Sequence, residues 1–130
     1  MSFSIQLSLQ ISAMKQLSTS DLTSAFKDDT DFLSVFEINQ LPDRVKIGMI
    51  KLITNLQPSN LPGNHWVALF RRSEDSVGFY FDSFGHVPPL AIQAWLFKNC
   101  TDWSSNRLTI QPYDDNALCG YLCIIFFKHL

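Results

Sequence analysis

The final stretch of the chain, CGYLCIIFFKHL (Cys119 to Leu130), is apolar on almost every side, a pattern that belongs to a buried helix or a buried strand. Gly120 near its start and the turn-forming PYDDN before it favour a helix beginning at Cys119. Upstream, HWVALFRR (His65 to Arg72) and FYFDSFG (Phe79 to Gly85) carry the residues of strands and are separated by SEDSVG, so they predict a two-stranded hairpin. KIGMIKLITNL (Lys46 to Leu56) has strand density as well, and RLTIQ (Arg107 to Gln111) is a short strand candidate. Two further helices are predicted. Ser20 to Asp28 has Ser20 or Thr19 as a cap, with Leu22, Ala25 and Phe26 at helical spacing; VPPLAIQAWLFKN places Pro88 and Pro89 in a first turn ahead of Ile92, Trp95 and Leu96. FLSVFEINQLP reads as an irregular extended segment ending at Pro42, and QPSNLPGN as a loop.

No repeat, low-complexity tract or linker divides the 130 residues, which suit one domain able to bury a sizeable core. Hydrophobic residues at 46% and charged ones at 17% place it among globular chains. A net charge of −2 supplies no basic field for nucleic acid. The N-terminal MSFSIQLSLQISAM lacks the basic start of a secretory signal, and no run reaches the length of a membrane span, so a soluble intracellular protein is expected. Three cysteines with no such signal argue for free thiols rather than a disulfide framework. Cys100, Cys119, Cys123, His65, His86 and His129 contain no C-x-x-C and no H-x-x-x-H pair, so neither a metal nor another cofactor is expected.

A helix beginning at Cys119 would set its thiol among unpaired backbone N–H groups, where a thiolate is favoured and a cysteine becomes nucleophilic. The competing reading is a small apolar residue packed at a helix start. Cys123, one turn deeper, reads as core. A nucleophilic cysteine needs a base, and the base needs an orienting group. His129 lies too far along the same helix, and His86 falls in an exposed Gly-Pro turn. His65 opens one hairpin strand and Asp82 ends the other, so the two can be neighbours. Taken singly, His65 could be a strand-end residue and Asp82 a turn cap. An oxyanion also needs donors; Gln111 and Asn116, both upstream of Cys119, could each supply an amide. Trp66 is either strand core or an aromatic wall that limits rotation of the His65 ring.

GNHWVAL, FYFDSFG, IQPYDDNALCG and LITNL resemble, in order and spacing, the adenovirus-type cysteine proteases (adenain), and more closely the adenain-like proteases of Maverick/Polinton elements and virophages. The order His, Asp or Glu, Gln, Cys is also that of the SUMO-specific Ulp proteases. The resemblance implies an α+β, papain-like or Ulp-like fold with a central mixed sheet packed on the helix that carries Cys119. It spans residues 18–130 as one protease domain, with residues 1–17 an extension that has no counterpart. It implies Cys119 as nucleophile, His65 as general base, Asp82 as orienting acid and Gln111 as oxyanion amide, with Trp66 beside the substrate. The step from Gln111 to Cys119 is one residue longer than in adenain, so Asn116 is the alternative amide. The implied reaction is peptide-bond hydrolysis through a thioester, at glycine-containing sites in capsid proteins, in a host nucleus or a virion. An activating peptide and DNA are partners in adenain; the acidic balance here argues against DNA. The competing functions are a Ulp-like isopeptidase acting on a ubiquitin-like modifier, and a truncated, non-catalytic binding domain.

Overall fold

The computed structural model describes residues 16–56, 65–110 and 118–130. Among them the elements run α1 (Thr19–Ala25), β1 (Phe32–Glu37), a 3-10 turn (Ile38–Gln40), β2 (Ile50–Asn55), β3 (Trp66–Arg71), β4 (Val77–Phe81), α2 (Leu90–Asn99), β5 (Asp102–Ser105) and α3 (Leu118–Lys128).

All six residues of β3 are buried, which fits a strand in the middle of a sheet covered on both faces. The sheet order is β1-β2-β3-β4-β5, antiparallel at the two central pairings and parallel at both edges. Alternation along β3 then feeds two cores. Trp66, Ala68 and Phe70 join Leu22 of α1 and Cys119, Cys123 and Phe127 of α3 on one face. Val67 and Leu69 join Ile50, Leu52, Tyr80 and the α2 residues Ile92, Trp95 and Leu96 on the other. The result is an α+β domain of three layers, with a mixed sheet packed on the helix that carries Cys119.

The predicted hairpin is present, although β4 starts at Val77, ahead of Phe79. Four expectations need correction. The cap of α1 is Ser18, not Ser20 or Thr19: the Ser18 hydroxyl accepts from the Asp21 N–H at 3.1 Å while the Asp21 carboxylate accepts from the Ser18 N–H at 2.9 Å. This reciprocal box is worth about 1 kcal/mol. FLSVFE is a true strand, in register with β2 from Val35↔Ile53 to Glu37↔Asn55, and its irregularity is confined to a shift between Phe32 and Val35. No strand forms over Arg107 to Ile110; Arg107 adopts a φ of 55°, which breaks an extended run, and Leu108 and Ile110 face solvent. The fifth strand is instead the polar DWSS. The last helix begins at Leu118, and it is buried along one stripe, Cys119, Cys123 and Phe127, while Ile125 is exposed.

The loop QPSNLPGN, from Gln57 onward, and the PYDDN turn lie outside the described residues, as do Gln111 and Asn116. Leu17 packs in the core with α3. Among the described residues no helix is long and apolar enough to cross a membrane.

Candidate active site

The β3–β4 ladder pairs Ala68 with Phe81 and Arg71 with Gly78. Continued past the strand ends, that register carries His65 toward Phe84, with Asp82 as its diagonal neighbour. The side chains meet as the register dictates. His65 Nε2 donates to Asp82 Oδ1 at 2.6 Å, and the Phe84 ring lies 4.7 Å from the imidazole. Asp82 is 1% exposed, and its Oδ1 also accepts the Phe84 N–H at 2.9 Å. The turn-cap and ion-pair readings of Asp82 are therefore both realised, on one oxygen.

The turn that carries Asp82 is held from below. Asn106, just beyond β5, forms a two-point clamp: its Oδ1 accepts the Asp82 N–H at 3.0 Å and its Nδ2 donates to the Asp82 carbonyl at 2.6 Å. Thr109 Oγ1 donates to the Phe84 carbonyl at 2.8 Å, and the Ile110 N–H to the Ser83 carbonyl at 2.7 Å. Gly85, at φ 72°, closes the turn where a Cβ would stand 2.7 Å from the Leu108 carbonyl carbon. Neither Asn106 nor Phe84 stood out in the sequence. Phe84 was legible from the hairpin register alone; Asn106 required the β5 pairing, which a polar four-residue strand conceals.

Cys119 sits in the first turn of α3 and is fully buried. The Trp66 N–H donates to Cys119 Sγ at 3.3 Å, and the Cys123 thiol donates to the Trp66 carbonyl at 3.5 Å. Two cysteines one helical turn apart thus hold both polar groups of Trp66, and that residue follows His65 directly. Gly120 permits the close approach: a Cβ there would lie 3.2 Å from Leu17 Cβ and 3.3 Å from Trp66 Cδ1. The Trp66 indole donates to the Leu17 carbonyl at 3.1 Å. The ring facing the imidazole belongs to Phe84, while Trp66 supplies backbone contacts to both thiols and an indole packed beside the helix start.

With Nε2 committed to Asp82, Nδ1 is the nitrogen left to face the thiol. Burial by itself would lower the His65 pKa. The hydrogen bond to Asp82, together with the nearby Asp82 carboxylate and Cys119 sulfur, outweighs it and raises the pKa from 6.5 to about 9, while Nδ1 is buried with no hydrogen-bond partner among the described residues. Burial would raise the Asp82 pKa, but the His65 and Phe84 hydrogen bonds and the charges of His65 and His86 bring it below the usual carboxylate value. Burial pushes up the pKa of Cys100, and that of Cys123 further. His86 is exposed, and His129 Nδ1 pairs with the Ile125 carbonyl of its own helix. Among the described residues no group of three His, Cys, Asp or Glu side chains could hold a metal ion.

No protein-family model and no curated protein matches the chain. The fold has a solved counterpart. It superposes on the crystal structure of the ASFV pS273R protease with a TM-score of 0.64 at 13% identity, over 91% of this chain. The chain spans 58% of the length of that protein. The chain therefore shares the fold of that protease.

Proposed function

We propose that the protein is a cysteine endopeptidase of the adenain type, with Cys119 as nucleophile, His65 as acid and base, and Asp82 as the group that orients His65. The observation that carries this reading is the 2.6 Å His65–Asp82 contact, on the strand ends that flank a buried cysteine in the first turn of α3. A fold shared with the ASFV pS273R protease supports it.

In the proposed cycle the Cys119 sulfur attacks the scissile carbonyl carbon, and the carbonyl π electrons move onto oxygen. The N–H groups at the start of α3 point where that oxyanion forms. Gln111 is the proposed side-chain donor and Asn116 its alternative. With a pKa of about 9, His65 carries a proton at neutral pH and delivers it to the leaving amine as the C–N bond breaks. The thioester is then attacked by water, whose proton returns to His65, and the C–S bond breaks with its electron pair going to sulfur, which releases the acid and regenerates the thiolate beside a protonated His65. Asp82 keeps its charge throughout and holds Nε2, leaving Nδ1 toward the sulfur. The proposed substrates are capsid polypeptides of a virus or virus-like element, cut at glycine-containing sites.

Cys119→Ala in purified protein is expected to abolish cleavage of a glycine-containing peptide library while leaving the unfolding midpoint within a few degrees. Cleavage by the variant at the wild-type rate would remove Cys119 from the mechanism.

A further inference from the structure

Three residues stand side by side at one end of the sheet. Glu37 pairs with Asn55, and Asn55 pairs with Trp66. Partners in register put their side chains on the same face, here the face that carries α3. Above this row lies a cavity of about 330 Å³, rimmed by Thr19 at the start of α1 and by Gln40 of the 3-10 turn, with Val35 on its apolar side. The cavity adjoins the candidate active site, because Trp66, its inner wall, gives its N–H to Cys119 Sγ.

The lining is chemically lopsided. Glu37 brings a carboxylate, Thr19, Gln40 and Asn55 bring neutral oxygens, and no lysine, arginine or histidine lines the cavity among the described residues. Four carboxylates form ion pairs among the described residues: Asp29 with Lys51, Asp43 with Lys98, Asp75 with Arg72 and Asp82 with His65. Glu37 takes part in none of these ion pairs.

We infer that this cavity is a specificity pocket for a cationic substrate side chain, with Glu37 as its counter-charge. The inference rests on the peptidase reading and deepens it. Strands lie about 4.8 Å apart, so Glu37 stands roughly 10 Å from Trp66; an extended peptide advances about 3.3 Å per residue. The selected residue therefore lies about three positions from the scissile bond. Arginine suits the pocket better than lysine, since its planar fork can use the carboxylate and the neighbouring amide and hydroxyl oxygens together.

The test is a positional peptide library whose cleavage by wild-type protein, Glu37→Gln, Glu37→Lys and the surface control Glu74→Gln is compared. Wild type and the control should favour arginine at a single position two to four residues from the cut, by about five-fold in kcat/KM, the scale of a half-exposed ion pair. Glu37→Gln should lose that preference and Glu37→Lys should turn it toward glutamate, while peptides with alanine at that position are cut equally by all four. A wild-type protein with no basic preference, or a preference that survives Glu37→Gln, overturns the pocket. If wild type cuts no peptide, the peptidase reading fails separately. Capture of an arginine-containing heptapeptide by Cys119→Ala, measured by fluorescence polarisation, then decides the pocket: loss on adding Glu37→Gln sustains it, and unchanged or absent capture overturns it.

Discussion

Asp82 Oδ1 accepts both the imidazole of His65 and the N–H of Phe84, so the carboxylate orients a side chain and closes a turn at once. Asp82→Asn should separate these roles. An amide oxygen can still accept the Phe84 N–H, but the charge that holds the imidazolium is gone; kcat at neutral pH should fall by about 100-fold or more, with a much smaller change in KM. A variant within two-fold of wild type would show that the pair is structural. The same contact predicts how stability varies with pH. The His65 pKa is raised from 6.5 to about 9, so its contribution is complete below about pH 6.5 and is lost as pH rises through about 9. Denaturant unfolding should lose up to about 3 kcal/mol over that window, and His65→Gln should remove most of the loss. A wild-type curve as flat as the variant's would contradict the pairing. His65 and Asp82 were legible in the sequence because a hairpin is local and its ends meet. Asn106, which clamps that turn, was not, since it looks like an ordinary loop position until the β5 pairing brings it in, and Phe84 follows only once the hairpin register is continued past the strand ends.

Between α3 and β3 the decisive contact is with a peptide group. Cys119 and Cys123, one turn apart, take the N–H and the carbonyl of Trp66, so the helix sets the height of the strand end that carries His65. Cys123 was readable as core from its apolar surroundings, but its thiol as a donor to β3 was not, because that needs the packing of two distant elements. Cys123→Ala should cost about 1 to 2 kcal/mol through the lost donor and a small cavity. It should also lower kcat by more than Ile92→Val, a comparable core loss on the opposite face of the sheet. Equal effects of the two substitutions on kcat would reduce Cys123 to filling. Strand order divides along the same line. Antiparallel neighbours follow one another in the chain and were visible in outline, whereas both parallel edges join segments separated by crossovers, and the polar β5 carries no run to announce itself.

The three layers bring the start of a helix, the start of β3 and the end of β4 to one end of the sheet, an architecture that the family resemblance, rather than the apolar pattern, implied. The loop from Gln57 and the segment holding Gln111 and Asn116 lie outside the described residues, so the central claim rests on the trio His65, Asp82 and Cys119. Exposure and chemistry make opposite forecasts for the thiols. Cys119 is fully buried and Cys100 only partly so, and exposure alone would have a small electrophile modify Cys100 first. A cysteine paired with His65 at the start of a helix reacts by its chemistry instead. Site-resolved mass spectrometry of the native protein treated with limiting iodoacetamide at pH 7 compares the two directly. The account predicts Cys119 alkylated ahead of Cys100, with the preference lost in His65→Gln; modification of Cys100 with Cys119 left inert would contradict it.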